Sequence, residues 1–145
     1  MKKVIISIIA ITFCVLSYAG DLPENQVPVT VKNAVSKKYA NAQKLEWEKK
    51  GSFYQAEFKI DKKEFEVLLD EKGNIVKVYE DISANELPAK VSQSIQKSYP
   101  NHKIDDVEKV TKDGSVMYKV ELKDGKTDFE VFYNHNGEVI EQPIR

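Results

Sequence analysis

Few side chains in this 145-residue chain have the type and spacing to do chemistry. His102 follows the end of a helical stretch and His135 sits in a hairpin turn, so the two imidazoles share no site. Ser92, Ser94 and Ser98 lie along a helical stretch with no base in their sequence context, which leaves a serine nucleophile without support. No metalloprotease histidine pair, Gly-x-Ser-x-Gly elbow or phosphate loop occurs. Asp105-Asp106-Val107-Glu108 and Asp70-Glu71-Lys72-Gly73-Asn74 gather oxygen ligands, yet neither has calcium-loop spacing and Lys72 interrupts the second. In the second run, Asp70 favours a turn start and Gly73 supplies a positive φ, so a turn accounts for both. Glu64 and Glu66 mimic an acid–base pair but read as a solvated stripe beside Lys59 and Lys77. The expectation is a chain with no catalytic residue, no metal ligand set and no cofactor, and hence not an enzyme.

The chain opens as an export signal. Lys2 and Lys3 precede an apolar run from Val4 to Leu16, and Ser17-Tyr18-Ala19 offers small residues where a signal peptidase cuts. That run is well short of the roughly 20 residues a membrane helix needs. Residues 1–19 are therefore expected to leave, giving a periplasmic or secreted protein with no membrane span. Cys14, the single cysteine, leaves with them. Bulky Phe13 before it disfavours a lipoprotein signal, and whether Cys14 is ever lipidated stays open. The formal charge of −1, with both signs interspersed, argues against nucleic acid as a partner.

Beyond the signal, the chain repeats itself. Val27-Pro28 to Asn41 matches Leu87-Pro88 to Asn101 at an offset of 60, with Val31, Val35 and Tyr39 answered by Val91, Ile95 and Tyr99. Tyr54 to Phe58 then matches Tyr118 to Leu122 at an offset of 64, as do Phe65-Glu66-Val67 with Phe129-Glu130-Val131 and Gly73 with Gly137. The change of offset is expected to mark a small insertion between helix and strands of the second copy. Residues 20–82 and 83–145 form the two expected units.

Each unit has one grammar. A proline opens a helix whose apolar residues recur every four positions, a stripe narrow enough for one buried side. Short runs with period-two alternation follow, joined by glycine-bearing turns, as in antiparallel hairpins with one face buried. The fold class is α+β: two tandem helix-plus-antiparallel-meander units, their sheets side by side and the helices on one face.

Parity then singles out a few residues. Phe53 and Leu68 point away from the core rows of their strands, and their repeat equivalents are Met117 and Phe132. The same exception in both copies, ringed by Glu57, Glu66, Lys119, Glu121 and Glu130, has the makeup of a protein-binding patch. Tyr79 joins them as a further anchor. Two blander readings stand beside it: a strand bulge that flips the parity, or cover from the segment Gly20 to Gln26.

Glu86-Leu87-Pro88, a helix ending in Tyr99-Pro100, Tyr118-Lys119-Val120-Glu121-Leu122, an acidic-aromatic strand and an Asn-Gly turn resemble the PepSY-like, beta-lactamase-inhibitor-like family of secreted bacterial proteins. The resemblance covers nearly all of the chain after the signal, as two copies. It implies a curved sheet with helices on one side and an open face that, in relatives of known role, grips another protein. It carries over no catalytic residue. The first copy departs from the pattern, with Tyr39-Ala40 where an aromatic-proline pair is usual. The expected function is a protein-binding module, with an exported enzyme as its partner and inhibition or regulation as its effect. A small-ligand or cation-binding periplasmic protein is the alternative. The partner's identity and the oligomeric state are not written in the sequence.

Overall fold

The computed structural model describes residues 21–141, with nothing described for the side chain of Glu141. The expected signal segment 1–19 and Cys14 lie outside the described residues. Among those residues no helix is long and apolar enough to cross a membrane.

The order is α1 (Val29–Lys38), β1 (Gln43–Lys50), β2 (Phe53–Ile60), β3 (Lys63–Leu69), β4 (Ile75–Asp81), then α2 (Ala89–Ser98), β5 (Lys103–Lys112), β6 (Ser115–Lys123), β7 (Asp128–Asn134) and β8 (Val139–Glu141). The eight strands of the described residues form one antiparallel sheet in chain order, a pure meander. The chain is α+β with its helices on one side, as expected.

Pro28 and Pro88 cap the helices at φ −55°, and their carbonyls accept the first helical bonds from the N–H groups of Lys32 and Ser92. Proline's missing N–H costs nothing at that place, and its fixed φ suits the entry. Both helices stop at a tyrosine, Tyr39 or Tyr99, whose N–H bonds back to Val35 or Ile95 at 2.8 Å. Ala40 in place of proline therefore shifts nothing. Tyr39 is held instead by its ring, 4.9 Å from Phe58 and 6.1 Å from Phe65.

Two apolar clusters fill the space between helices and sheet. Val31 and Val35 pack with Trp47, Ala56, Phe58, Val67 and Leu69, while Val91 and Ile95 pack with Val107, Val120, Leu122, Val131 and Tyr133. Between the clusters, on the helix side, lies a charged seam. Glu80 sits 3.4 Å from Lys63 and 3.5 Å from Lys109, and Lys63 reaches on to Glu86 at 2.6 Å. Glu86 also closes a capping box with Ser83.

The turns after β3 and β7 are built alike. Asp70 and Asn134 each accept bonds from backbone N–H groups two and four residues on, and Gly73 and Gly137 then take φ +86° and +79°. Both glycines lie against a helix backbone, and Ser94 Oγ donates to the Gly137 carbonyl at 2.5 Å.

One expectation is corrected here. The change of repeat offset does not mark an insertion between helix and strands. Both helix-to-strand links match, and both first strands carry a bulge at the same place, Gln43/Glu46 and Ile104/Asp106. The extra residues lengthen the β5–β6 hairpin, which closes at Lys112↔Ser115, whereas β1–β2 closes at Lys50↔Phe53. Polar residues at a hairpin tip leave no core pattern to fix the break from sequence alone.

Candidate partner-binding face

The sheet side away from the helices is built from alternate residues of every strand. Pairing registers place its side chains in rows. One row runs Glu57, Glu66, Tyr79, Val110, Met117, Asn134 across β2 to β7. A second runs Gln55, Leu68, Lys77, Lys112, Ser115, and a third runs Asp81, Glu108, Lys119, Phe132, with the Lys59↔Glu64 pair beside Asp81 across the shared hollow.

Phe53, Leu68, Tyr79, Met117 and Phe132 all lie on this face, each partly buried. They do not form a round patch. Phe53 and Leu68 are diagonal neighbours, as are Leu68 and Tyr79; Tyr79 leads directly through Val110 to Met117; Phe132 follows on the next diagonal. Direct neighbours across strands are roughly 5 Å apart and diagonal ones roughly 7–8 Å, within reach of large side chains. The result is an apolar stripe slanting across six strands. Bulges fall beside it, at Leu68/Leu69 against β4 and at Phe132/Tyr133 against β8. Leu68 and Phe132 nonetheless keep regular pairs with Gln55 and Lys119, so their parity is not flipped. The segment Gly20 to Gln26 does not serve as cover along its described part. Asp21 bridges Glu48 on the outer edge of β1, and Glu24–Gln26 turn into the approach to α1.

Val110 is the member that sequence reasoning missed. It is fully buried, yet it belongs to neither helix-side cluster, because it faces the open side between Tyr79 and Met117. Its odd spacing from Val107, three residues rather than two or four, was the signal available.

Charge divides the face along the stripe. On one side lie Glu57, Glu64, Glu66, Asp81, Asp106, Glu108, Glu121 and Glu130; on the other lie Lys50, Lys77 and Lys112. Glu64, Glu66, Asp81, Asp106 and Glu108 line a shallow hollow beside Tyr79. Lysines serve part of this flank. Lys59 pairs with Glu64, and Lys119 bridges Glu108 at 2.8 Å and Glu130 at 2.9 Å. Burial works against the Lys119 ammonium, but these two hydrogen-bonded pairs outweigh it and hold its pKa above the usual lysine value. Glu66, Asp81 and Asp106 have no cation within ion-pair distance among the described residues. Burial first, then Glu57 and Glu108, push the Glu66 carboxyl up. Burial, then Asp106, Glu64 and Glu108, do the same to Asp81.

The expected solvated stripe of Glu64 and Glu66 beside Lys59 and Lys77 holds for Glu64 beside Lys59 alone. Lys77 stands opposite Leu68 and places its ammonium 4.6 Å from the centre of the Tyr79 ring. Glu66 takes only the Gln55 amide, at 3.3 Å. His102 packs against Tyr99 and Phe129 on the helix side, and His135 lies 6.4 Å from the Tyr118 ring. The structure brings neither histidine to the open face. Among the described residues no group of three or more His, Cys, Asp or Glu side chains is arranged to hold a metal ion.

The chain is similar to several solved structures. A BLIP-like protein of Bacteroides fragilis shares 28% identity over 86% of this chain and 88% of that one, with a TM-score of 0.71. A DUF2874 family protein of Bacteroides uniformis shares 23% over 79% and 86%, with a TM-score of 0.74. A protein of Bacteroides eggerthii described as periplasmic shares 20% over 81% and 88%, with a TM-score of 0.76. No curated protein matches the chain. The family profile described as beta-lactamase-inhibitor-like and PepSY-like matches twice, over residues 15–77 and 76–141. With both copies matched and the helix-and-meander sheet in place, the chain belongs to the PepSY-like, beta-lactamase-inhibitor-like family.

Proposed function

We propose that this chain is an exported protein-binding module that grips a partner protein across its open sheet face. Phe53, Leu68, Tyr79, Met117 and Phe132 are the anchors, joined by Val110, and the partner is an exported enzyme that the module restrains. The observation that carries this reading is the slanting apolar stripe across six strands on the face away from both helices. Large side chains at the centre of a polar surround are where binding energy concentrates. The likeness to a BLIP-like protein supports a binding role, and the likeness to a protein described as periplasmic supports export.

Catalysis has no part in this reading, since among the described residues no nucleophile and base meet on the open face.

The test is crosslinking capture from periplasmic extract, with the exported chain as bait and Leu68→Asp with Phe132→Asp as control. Both residues are partly exposed on the open face, so the double variant is expected to fold. A single stoichiometric partner lost in the folded variant, and slowed in its own activity by the wild-type chain, is the expected result. Equal capture by the folded variant refutes the face as the binding surface.

A further inference from the structure

The stripe and the unpaired carboxylates cannot be covered separately. Glu66 stands directly opposite Tyr79, and Asp81 is two residues along the same strand on the same face. Anything that seats on Tyr79 and Met117 therefore displaces water from Glu66 and Asp81 as well. A carboxylate stripped of water without a cation beside it is strongly disfavoured. The chain's own lysines relieve this only in part: Lys119 and Lys50 favour the Glu66 carboxylate, and Lys63 that of Asp81, by less than burial and the neighbouring acids oppose them. Lys59 is engaged by Glu64, Lys119 by Glu108 and Glu130, and Lys123 by Asp105 at 2.6 Å. A neutral or acidic partner would bury repelling charges, whereas a cationic one would relieve them.

We propose that the partner is basic at the contact: a protruding loop of a folded protein that seats aliphatic or aromatic side chains along the stripe and lays lysine or arginine side chains against Glu66, Asp81 and Asp106. This rests on the reading of the open face as a binding surface. The division of charge also orients the loop. Its cations fall on the flank of Glu66 and Asp81, and any acidic residue it carries falls beside Lys77 and Lys112. Guanidinium suits the carboxylate side best, because its planar fork can engage two oxygens at once. Burial first, and then the neighbouring carboxylates, already hold the Glu66 and Asp81 carboxyls above their ordinary values in the free protein.

The test uses a library of disulfide-closed random nonapeptides, selected on the immobilised exported chain. Peptides that lose binding to the folded Leu68→Asp, Phe132→Asp variant are face-directed. These are expected to carry at least two lysines or arginines around an apolar residue. Their affinity should fall about tenfold on Glu66→Gln with Asp81→Asn, which keeps the side-chain shapes, and should weaken with added salt. Face-directed peptides that are neutral or acidic, or that bind this variant within threefold of wild type, overturn the inference and leave the binding face standing. A selection that yields no face-directed peptide counts against the open-face reading itself, and the inference falls with it.

Discussion

Replacing Gly137 with alanine measures how closely the β7–β8 turn is clamped under α2. Gly137 has φ +79°, a conformation that costs an L-residue about 1–2 kcal/mol. A Cβ there would lie 2.8 Å from the Lys90 carbonyl carbon and nearer still to its oxygen. Those are helix backbone atoms, so no side chain can swing aside. Helix and turn must part instead, and the Ser94 bond to the Gly137 carbonyl stretches with them. Such overpacking typically costs about 1–3 kcal/mol, giving roughly 2–5 kcal/mol in all. Gly51 is the matched control, with φ +59° and open space where its Cβ would go, so Gly51→Ala carries only the first cost. Urea unfolding followed by the fluorescence of Trp47, the single tryptophan and 4% exposed, reads both variants. The expected gap between them is about 1–3 kcal/mol. A gap below about 0.5 kcal/mol would refute the clamp, since the clash would then be relieved by ordinary slack.

Three further outcomes follow from buried or crowded polar groups. The Tyr133 hydroxyl is buried without a hydrogen-bond partner among the described residues and burial pushes its pKa up to about 12, so Tyr133→Phe is expected to be neutral or stabilising by up to about 1 kcal/mol in the same urea assay. Glu66 and Asp81 have folded pKa values above their unfolded ones, so the stability lost to them is absent at low pH and appears as pH rises through the folded values. Glu66→Gln with Asp81→Asn should therefore raise the neutral-pH melting temperature by about 1–3 °C and leave it unchanged near pH 3, as calorimetry at the two pH values will show. Glu86 behaves oppositely. Its hydrogen bond with Lys63, and then those with Ser83, hold its carboxyl at about 2 against an ordinary 4.5, so its contribution is full above pH 4.5 and lost as pH falls through about 2. Glu86→Gln should flatten the acid limb of the stability profile in that window, and an unchanged acid slope would count against the Lys63 bridge.

Much of the fold was legible because core positions repeat by physical necessity. Val31, Val35, Val91 and Ile95 mark helices by period, while Tyr54-Ala56-Phe58 and Tyr118-Val120-Leu122 mark strands by parity. Parity also located Phe53, Leu68, Met117 and Phe132 on the open face. It could not arrange them, because the slant of the stripe comes from pairing register, which is set by turn lengths and bulges rather than by composition. Asp81 escaped notice for a related reason. It lies at the end of β4, and its neighbours Glu64 and Glu108 come from other strands. Lys77 looked like a partner for acids, but its register against Leu68 sends it over Tyr79 instead.

The joint between β4 and β5 has a counterpart at the outer edge of β1. Ile82 donates its N–H to the Val107 carbonyl beside the Asp81↔Glu108 pair, and Leu22 donates its N–H to the Trp47 carbonyl beside the Asp21↔Glu48 bridge. The same short linkage is thus written twice, once within the sheet and once at its margin. That makes the linkage a connector rather than a one-off solution to joining two halves. A designer could place another strand-and-helix module at the margin by copying residues 75–82 ahead of Pro23, and the new strand would inherit its register from the existing joint. The open sheet face then becomes a ruler of adjustable length, widened one unit at a time without recutting either core.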